Sequence, residues 1–200
     1  MSRRISLPAA LLGLAALALT ACQTVSVPPA PPMAWSVRRP ELQSLGTFHL
    51  TGRVAVAVEQ RGFDANIRWA QNGTRTRMIL SGPLGADAAQ VTADGASLSV
   101  ITPHGRHLGN AAAREVLVRQ LGFEPPLQSL RYWVLGVPDP GTPASVVLDA
   151  EQRPTRLRQG GWSIEYHSYM PVGADWLPRL LTVRRAGVRL RMVVDAWRLQ

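Results

Sequence analysis

Apolar and polar positions alternate with period two along most of the chain, and the alternation begins sharply after Gly46. Phe48, Leu50, Val54, Val56 and Val58 share one parity, while His49, Thr51, Arg53 and Glu59 share the other, which predicts a long strand with one apolar side. The next stretch repeats the pattern, with Phe63, Ala65, Ile67 and Trp69 set against Asp64, Asn66 and Arg68; Gln60-Arg61-Gly62 is the expected hairpin link. Gln71-Asn72-Gly73 turns the chain into a third strand, Thr74 to Leu80. Ser81-Gly82-Pro83-Leu84-Gly85 leads on to strands at Ala88 to Thr92 and Leu98 to Thr102. The period then changes. Trp35 to Leu45 reads as a short helix, Asn110 as the N-cap of a helix from Ala111 to Leu121 closed by Gly122, and Pro125-Pro126 as the opening of a helix from Leu127 to Leu135 stopped by Gly136 and Pro138. Strands follow at Ser145 to Leu148, Thr155 to Arg158, Trp162 to Tyr169, Leu180 to Arg185 and Val188 to Leu199.

About ten antiparallel strands, each apolar on one face, and two central helices predict a mainly β (α+β) fold: a strongly curved antiparallel sheet forming an incomplete, open barrel, with the helices covering a concave apolar face. Where the helices do not fill that face, an apolar cavity remains. Phe48, Leu50, Val54, Val56, Ile67, Trp69, Leu80, Leu130, Trp133, Leu190 and Met192 are the candidates to line it, although a closed core produces the same periodicity.

The N-terminus is of another kind. Arg3 and Arg4 precede an apolar run from Leu7 to Leu19, the layout of a secretory signal peptide and too short for a comfortable membrane span. The run ends at Leu19-Thr20-Ala21-Cys22, which resembles a bacterial lipobox; cleavage would leave an acylated Cys22 at the new N-terminus. An ordinary signal peptide cut near Thr20-Ala21 would instead leave an incidental thiol. Gln23, rather than Asp, after the cysteine resembles the sorting signal of Gram-negative lipoproteins bound for the outer membrane. Thr24 to Met33, with its prolines between Pro28 and Pro32, reads as a semi-stiff spacer. The expected organisation is therefore residues 1–21 as signal peptide, 22–34 as lipidated cysteine and tether, and 35–200 as one domain.

Composition narrows the chemistry. All 22 basic residues are arginine, so there is no P-loop lysine, Schiff-base lysine or lysine general base. A single cysteine leaves no intrachain disulfide. The net charge of +9, less the two charges on Arg3 and Arg4, leaves +7. For a domain tethered outside the cytoplasm, that charge points to anionic lipid or acidic protein partners and away from nucleic acid; solvated strand faces would account for it as well. His104-Gly-Arg-His107 has the spacing of a polar hairpin and lacks a third ligand for a metal. No Gly-x-Ser-x-Gly or Gly-x-Gly-x-x-Gly segment occurs, and Asp87, Asp94, Asp139 and Asp149 fall in turns. No enzyme and no cofactor are expected.

Leu130-Arg131-Tyr132-Trp133-Val134-Leu135-Gly136-Val137-Pro138 resembles the Leu-Arg-x-Trp-x-x-Gly-x-Pro segment of the outer-membrane lipoprotein receptors called LolB. Thr51-Gly52-Arg53-Val54-Ala55-Val56, Gly82-Pro83-Leu84-Gly85 and Asp195-Ala196-Trp197 come in that family's order and at its spacing. The resemblance implies a monomer that accepts triacylated lipoproteins from the periplasmic carrier LolA into an apolar cavity and inserts them into the outer membrane. It also implies that Leu84, on the loop of Gly82, Pro83 and Gly85, is a protruding wedge; a leucine folded back on the core is the alternative from the residues alone. Arg53 and Arg131, next to apolar positions, fit either structural ion pairs or contact with the cargo's polar end. The competing function is a structural or assembly lipoprotein whose concave face is filled by its own side chains.

Overall fold

The computed structural model describes residues 33–59, 61–82 and 88–200. The signal peptide, Cys22, the spacer up to residue 32, Gln60, Pro83, Leu84 and Gly85 lie outside the described residues. A short helix α1 (Trp35–Ser44) precedes six strands: β1 (Thr47–Val58), β2 (Arg61–Asn72), β3 (Arg75–Ser81), β4 (Ala89–Asp94), β5 (Ser97–Ile101) and β6 (His107–Gly109). Helices α2 (Asn110–Leu121) and α3 (Leu127–Trp133) follow. The chain ends with β7 (Ala144–Leu148), β8 (Pro154–Gln159), β9 (Trp162–Val172), β10 (Asp175–Arg185) and β11 (Val188–Leu199).

All eleven strands form one sheet in the order β6-β5-β4-β3-β2-β1-β11-β10-β9-β8-β7, and each neighbouring pair is antiparallel. Two meanders are thus joined by pairing the first strand with the last, and β6 and β7 are left as the free edges of an open barrel. The chain has to cross from one edge to the other. Residues 110–143 make that crossing, and their helices turn Ala113, Leu117, Leu130 and Trp133 inward to the core. The connection that completes the topology is therefore also the cover of the concave face.

The β1–β11 seam carries a bulge. Thr51 pairs with Ala196 and Gly52 with Val194, so Asp195 is the extra residue. Gly52 lies against the partner strand so closely that an added Cβ would sit 2.1 Å from the Val193 carbonyl oxygen. On the convex side Arg53 Nη2 reaches Asp195 Oδ1 at 3.3 Å, an exposed ion pair.

Several expected boundaries move. The β1–β2 link is shorter than Gln60-Arg61-Gly62, because Arg61 and Gly62 already pair with Val58 and Ala57. Asn110 is the first helical residue, with φ +39°, and not the cap; its Oδ1 accepts from the Leu98 N–H at 3.2 Å, which ties the helix start to β5. Gly122 closes α2 as expected, at φ +79° with its N–H on the Val118 carbonyl at 2.8 Å. β6 was not foreseen, since three residues are too few for a periodicity to register. β10 starts five residues before Leu180 and includes Pro178, which is tolerated because this part of β10 pairs with β9 but not with β11.

Candidate functional site

The long Leu-Arg-x-Trp segment acts as a clamp on the covering helices. Trp133 Nε1 donates to Gln159 Oε1 at 2.8 Å, and the same oxygen accepts the Asp139 N–H at 2.9 Å. Gln159 Nε2 donates to the carbonyls of Asp139 and Thr142 at 2.7 and 2.6 Å, so the amide is fully used inside the core. Tyr166 adds a donation to the Trp133 carbonyl at 2.8 Å, and burial holds its phenol well above its ordinary pKa. Burial likewise raises Tyr169, which donates to the Pro154 carbonyl. Arg131 Nη1 donates to the Gly73 carbonyl at 2.7 Å, and its guanidinium lies 4.5 Å from the Tyr132 ring centre. The arginine therefore pins α3 to the β2–β3 turn. Gly136 has φ +81°, and a Cβ there would press on the Pro178 ring at 3.3 Å.

The Arg131–Gly73 contact lies at the end of the concave face where β1 starts, and large side chains fill the space there. Phe48 packs on Trp69 and on Trp197, with ring centres 5.9 and 5.6 Å apart. Gln71 Oε1 takes bonds from Trp69 Nε1 at 3.1 Å and from Thr76 Oγ1 at 2.7 Å. Toward the C-terminal half, Trp162 lies between Trp133 and Phe123 at 6.1 and 5.8 Å.

The other end is open. Between β1–β6 and α2 lies a cavity of about 950 Å³. Its walls are Val56 and Val58 of β1, Phe63 and Ala65 of β2, Leu80 of β3, Ala89 and Val91 of β4, Val100 of β5, Leu108 of β6, and Val116, Leu117 and Leu121 of α2. Arg61, Asp64, His104, Arg106, Arg119 and Gln120 border it and are exposed, so the charged groups stand at the mouth. Behind Leu117 is a second space of about 200 Å³, bordered by Thr74, Arg114, Glu124 and Arg131. Thus α2 rests on the sheet with unfilled volume on both sides.

Of the residues singled out for a cavity, Val56 and Leu80 line this one, with Gly82 at its border. Phe48, Leu50, Val54, Ile67, Trp69, Leu190 and Met192 lie on the same concave side but are packed in the core, as are Leu130 and Trp133. Val58, Phe63 and Ala65 and the residues of β4, β5, β6 and α2 were not among those candidates; β4, β5 and β6 are short, and Val116 and Leu117 lie side by side in a helix. Arg53 and Arg131 both have structural partners. His104 and His107 occupy the β5–β6 hairpin, and no cluster of three or more His, Cys, Asp or Glu able to hold a metal occurs among the described residues.

The family model described as "Outer membrane lipoprotein LolB" matches residues 46–197. The chain is 35% identical over 196 residues to the outer-membrane lipoprotein LolB of Thiobacillus denitrificans, covering 98% of this chain and 97% of that one. It is 36% identical over 152 residues to LolB of Nitrosomonas europaea, covering 75% and 72%. Among solved structures, a LolA superfamily protein of Nitrosomonas europaea matches with a TM-score of 0.51 over 84% of this chain and 94% of that one; at 8% identity the likeness is one of fold. The sequence match runs across the sheet, the bridging helices and the seam that joins the first strand to the last, and the chain belongs to the LolB family.

Proposed function

We propose that this protein is an outer-membrane lipoprotein, held on the periplasmic face by an acylated Cys22, that takes triacylated lipoproteins from a LolA-like carrier and inserts them into the outer membrane. The observation that carries the proposal is the cavity of about 950 Å³ with its apolar wall and its charged groups confined to the mouth. Each buried methylene is worth about 0.8 kcal/mol, so three acyl chains in water cost on the order of tens of kcal/mol. An apolar cavity removes most of that cost. The reading is non-catalytic: without a nucleotide site, transfer runs downhill from carrier to receptor to bilayer.

The resting cavity is near the top of the roughly 300–1,000 Å³ span of ordinary ligand sites. Three chains need more room, and the unfilled space on both sides of α2 supports an outward movement of that helix on loading. A purely structural lipoprotein would have a concave face filled by its own side chains. The Phe48–Trp69–Trp197 end is filled and the α2 end is not, which favours the carrier role.

Delivery is assigned to Leu84. Gly82, two residues before it, borders the cavity, and in the sequence a leucine after Gly-Pro is an unusual choice for a turn. Leu84→Glu in the otherwise unchanged protein is expected to accept cargo from the carrier and to fail to pass it to membranes. Normal delivery by that variant would remove Leu84 from the mechanism; failure to accept cargo by the unsubstituted protein would remove the carrier role itself.

A further inference from the structure

Two adjacent register rows at the mouth end of the barrel carry five arginines. In one, Arg158 of β8 stands opposite Ser163 of β9, Ser163 opposite Arg184 of β10, and Arg184 opposite Arg189 of β11. In the next, Arg185 stands opposite Val188, Val188 opposite Val58, and Val58 opposite Arg61. Arg106, in the β5–β6 hairpin, continues the set across the cavity mouth. All six are exposed. At about 4.8 Å per strand, each row holds its arginines along roughly 14 Å of sheet.

Fewer of them are paired than at the opposite end, where Arg39, Arg179 and Arg198 nonetheless have no ion pair among the described residues. At the opposite end, Arg38 meets Asp175 at 3.3 Å, Arg75 meets Asp94 at 3.1 Å, and Arg153 meets Asp149 and Glu151 at 2.9 Å. There the Thr74 hydroxyl, with Arg75 beside it, holds the Asp94 carboxyl below its ordinary pKa. Of the six mouth arginines and Arg119, which also borders the mouth, Arg184 pairs with Glu165 at 2.6 Å and Arg119 with Glu115 at 3.0 Å. Like charges placed directly opposite in a sheet repel, so Arg184 against Arg189 works against the fold.

We infer that this collar is a docking surface for the anionic headgroups of a phospholipid bilayer, which seats the open end of the barrel on the membrane with the cavity facing it. Three features fit a headgroup layer. Arg61 and Arg106 border the apolar opening, where Phe63 is 36% exposed, so apolar atoms face the hydrocarbon while guanidinium groups stay at headgroup level. Gly82, the last described residue after β3, lies at this same end. Guanidinium forks bind phosphate oxygens in a bidentate manner. The inference rests on the outer-membrane placement argued above but not on cargo transfer, and it is tested without cargo.

The test uses the mature chain with Cys22→Ala, which lacks the acyl anchor, and sedimentation with two kinds of vesicle: phosphatidylcholine alone, and phosphatidylcholine with phosphatidylglycerol in equal parts. Binding is expected on the anionic vesicles only, and it should weaken as salt rises. Arg61→Gln, Arg158→Gln or Arg189→Gln each weakens it about fivefold and the triple variant about a hundredfold, from about 1 kcal/mol per arginine near an anionic leaflet. Arg39→Gln and Arg75→Gln, at the other end, leave it unchanged, and circular dichroism checks that every variant is folded. Equal loss from both ends, or binding indifferent to phosphatidylglycerol, overturns the inference. So does a triple variant that binds vesicles normally but takes cargo slowly from the carrier, because the collar would then serve an acidic protein. A chain that binds as described yet never accepts cargo retains the collar and loses the carrier role.

Discussion

Gly52 offers the sharpest test of how this barrel is held together. An alanine there would place its methyl 2.1 Å from the Val193 carbonyl oxygen, 3.0 Å from Val194 Cα and 3.1 Å from Val193 C, all backbone atoms that no rotamer can move. Restoring an ordinary contact requires β1 and β11 to part by more than an ångström at the bulge, beyond the reach of the flanking ladder bonds. Losing two such bonds at about 1 kcal/mol each and adding about 1–3 kcal/mol of overpacking predicts a loss of roughly 3–5 kcal/mol. Domains of this kind have about 5–15 kcal/mol in total. The location makes the loss more severe, because β1–β11 is the only seam between the two meanders. Urea unfolding followed by tryptophan fluorescence reads the change, with Gly95→Ala as control: at φ +56° with nothing within 4 Å, that site has only the left-handed strain of about 1–2 kcal/mol. Arg53→Ala, which removes an exposed ion pair, should cost under about 1 kcal/mol. If Gly52→Ala is no worse than Gly95→Ala, close strand approach is not the reason for glycine in Thr51-Gly52-Arg53.

Two further outcomes are expected. Ala65→Trp, which adds an indole to the cavity wall opposite Val54, should lower uptake of a fluorescent apolar probe at least severalfold while the fold survives; unchanged uptake would place the probe elsewhere. Alkaline pH should destabilise the domain through Tyr166 and Tyr169, whose phenols burial holds above their ordinary pKa. A raised folded pKa means that the native state keeps a proton the unfolded chain releases. Stability is therefore full below about pH 10 and falls above it by up to about 1.4 kcal/mol per pH unit for each tyrosine. Tyr169→Phe should flatten that slope in urea titrations at pH 9 to 11; an unaltered slope would assign the alkaline loss to other groups.

The sheet was legible because a one-sided strand announces itself by parity, and every long strand of the first meander did so. Elements whose conformation depends on partners were not. β6 exists because β5 offers it an edge, and the first half of β10 carries a proline that only the absence of a β11 partner allows. Asn110 was read as a cap from local preference, whereas tertiary structure uses its amide to hold Leu98. The Leu-Arg-x-Trp segment was conspicuous in sequence, but its work as a clamp through Gln159 and the Gly73 carbonyl depends on partners 26 and 58 residues away.

The cavity is a different matter, since core and cavity residues share one parity and periodicity alone cannot divide them. Volume along the strands can. On the concave side β1 runs Phe48, Leu50, Gly52, Val54, Val56, Val58, and its partner β2 runs Trp69, Ile67, Ala65 over the same rows. Phe48 and Trp69 fall at the filled end and Ala65, Val56 and Val58 toward the mouth, where the Phe63 ring is exposed. The helices taper in the same sense: α3 brings Leu130 and Trp133 to the filled region, whereas α2 starts with Ala111, Ala112 and Ala113 and offers Val116, Leu117 and Leu121 to the open one. The tapering concave face under this cover leaves the space of about 950 Å³ at the mouth end and about 200 Å³ beside Thr74 at the other. The same register carries Arg61, Arg185 and Arg189 to the wide end. The route by which acyl chains enter and the surface that meets the membrane are thus consequences of one strand alignment, that of β1 between β2 and β11.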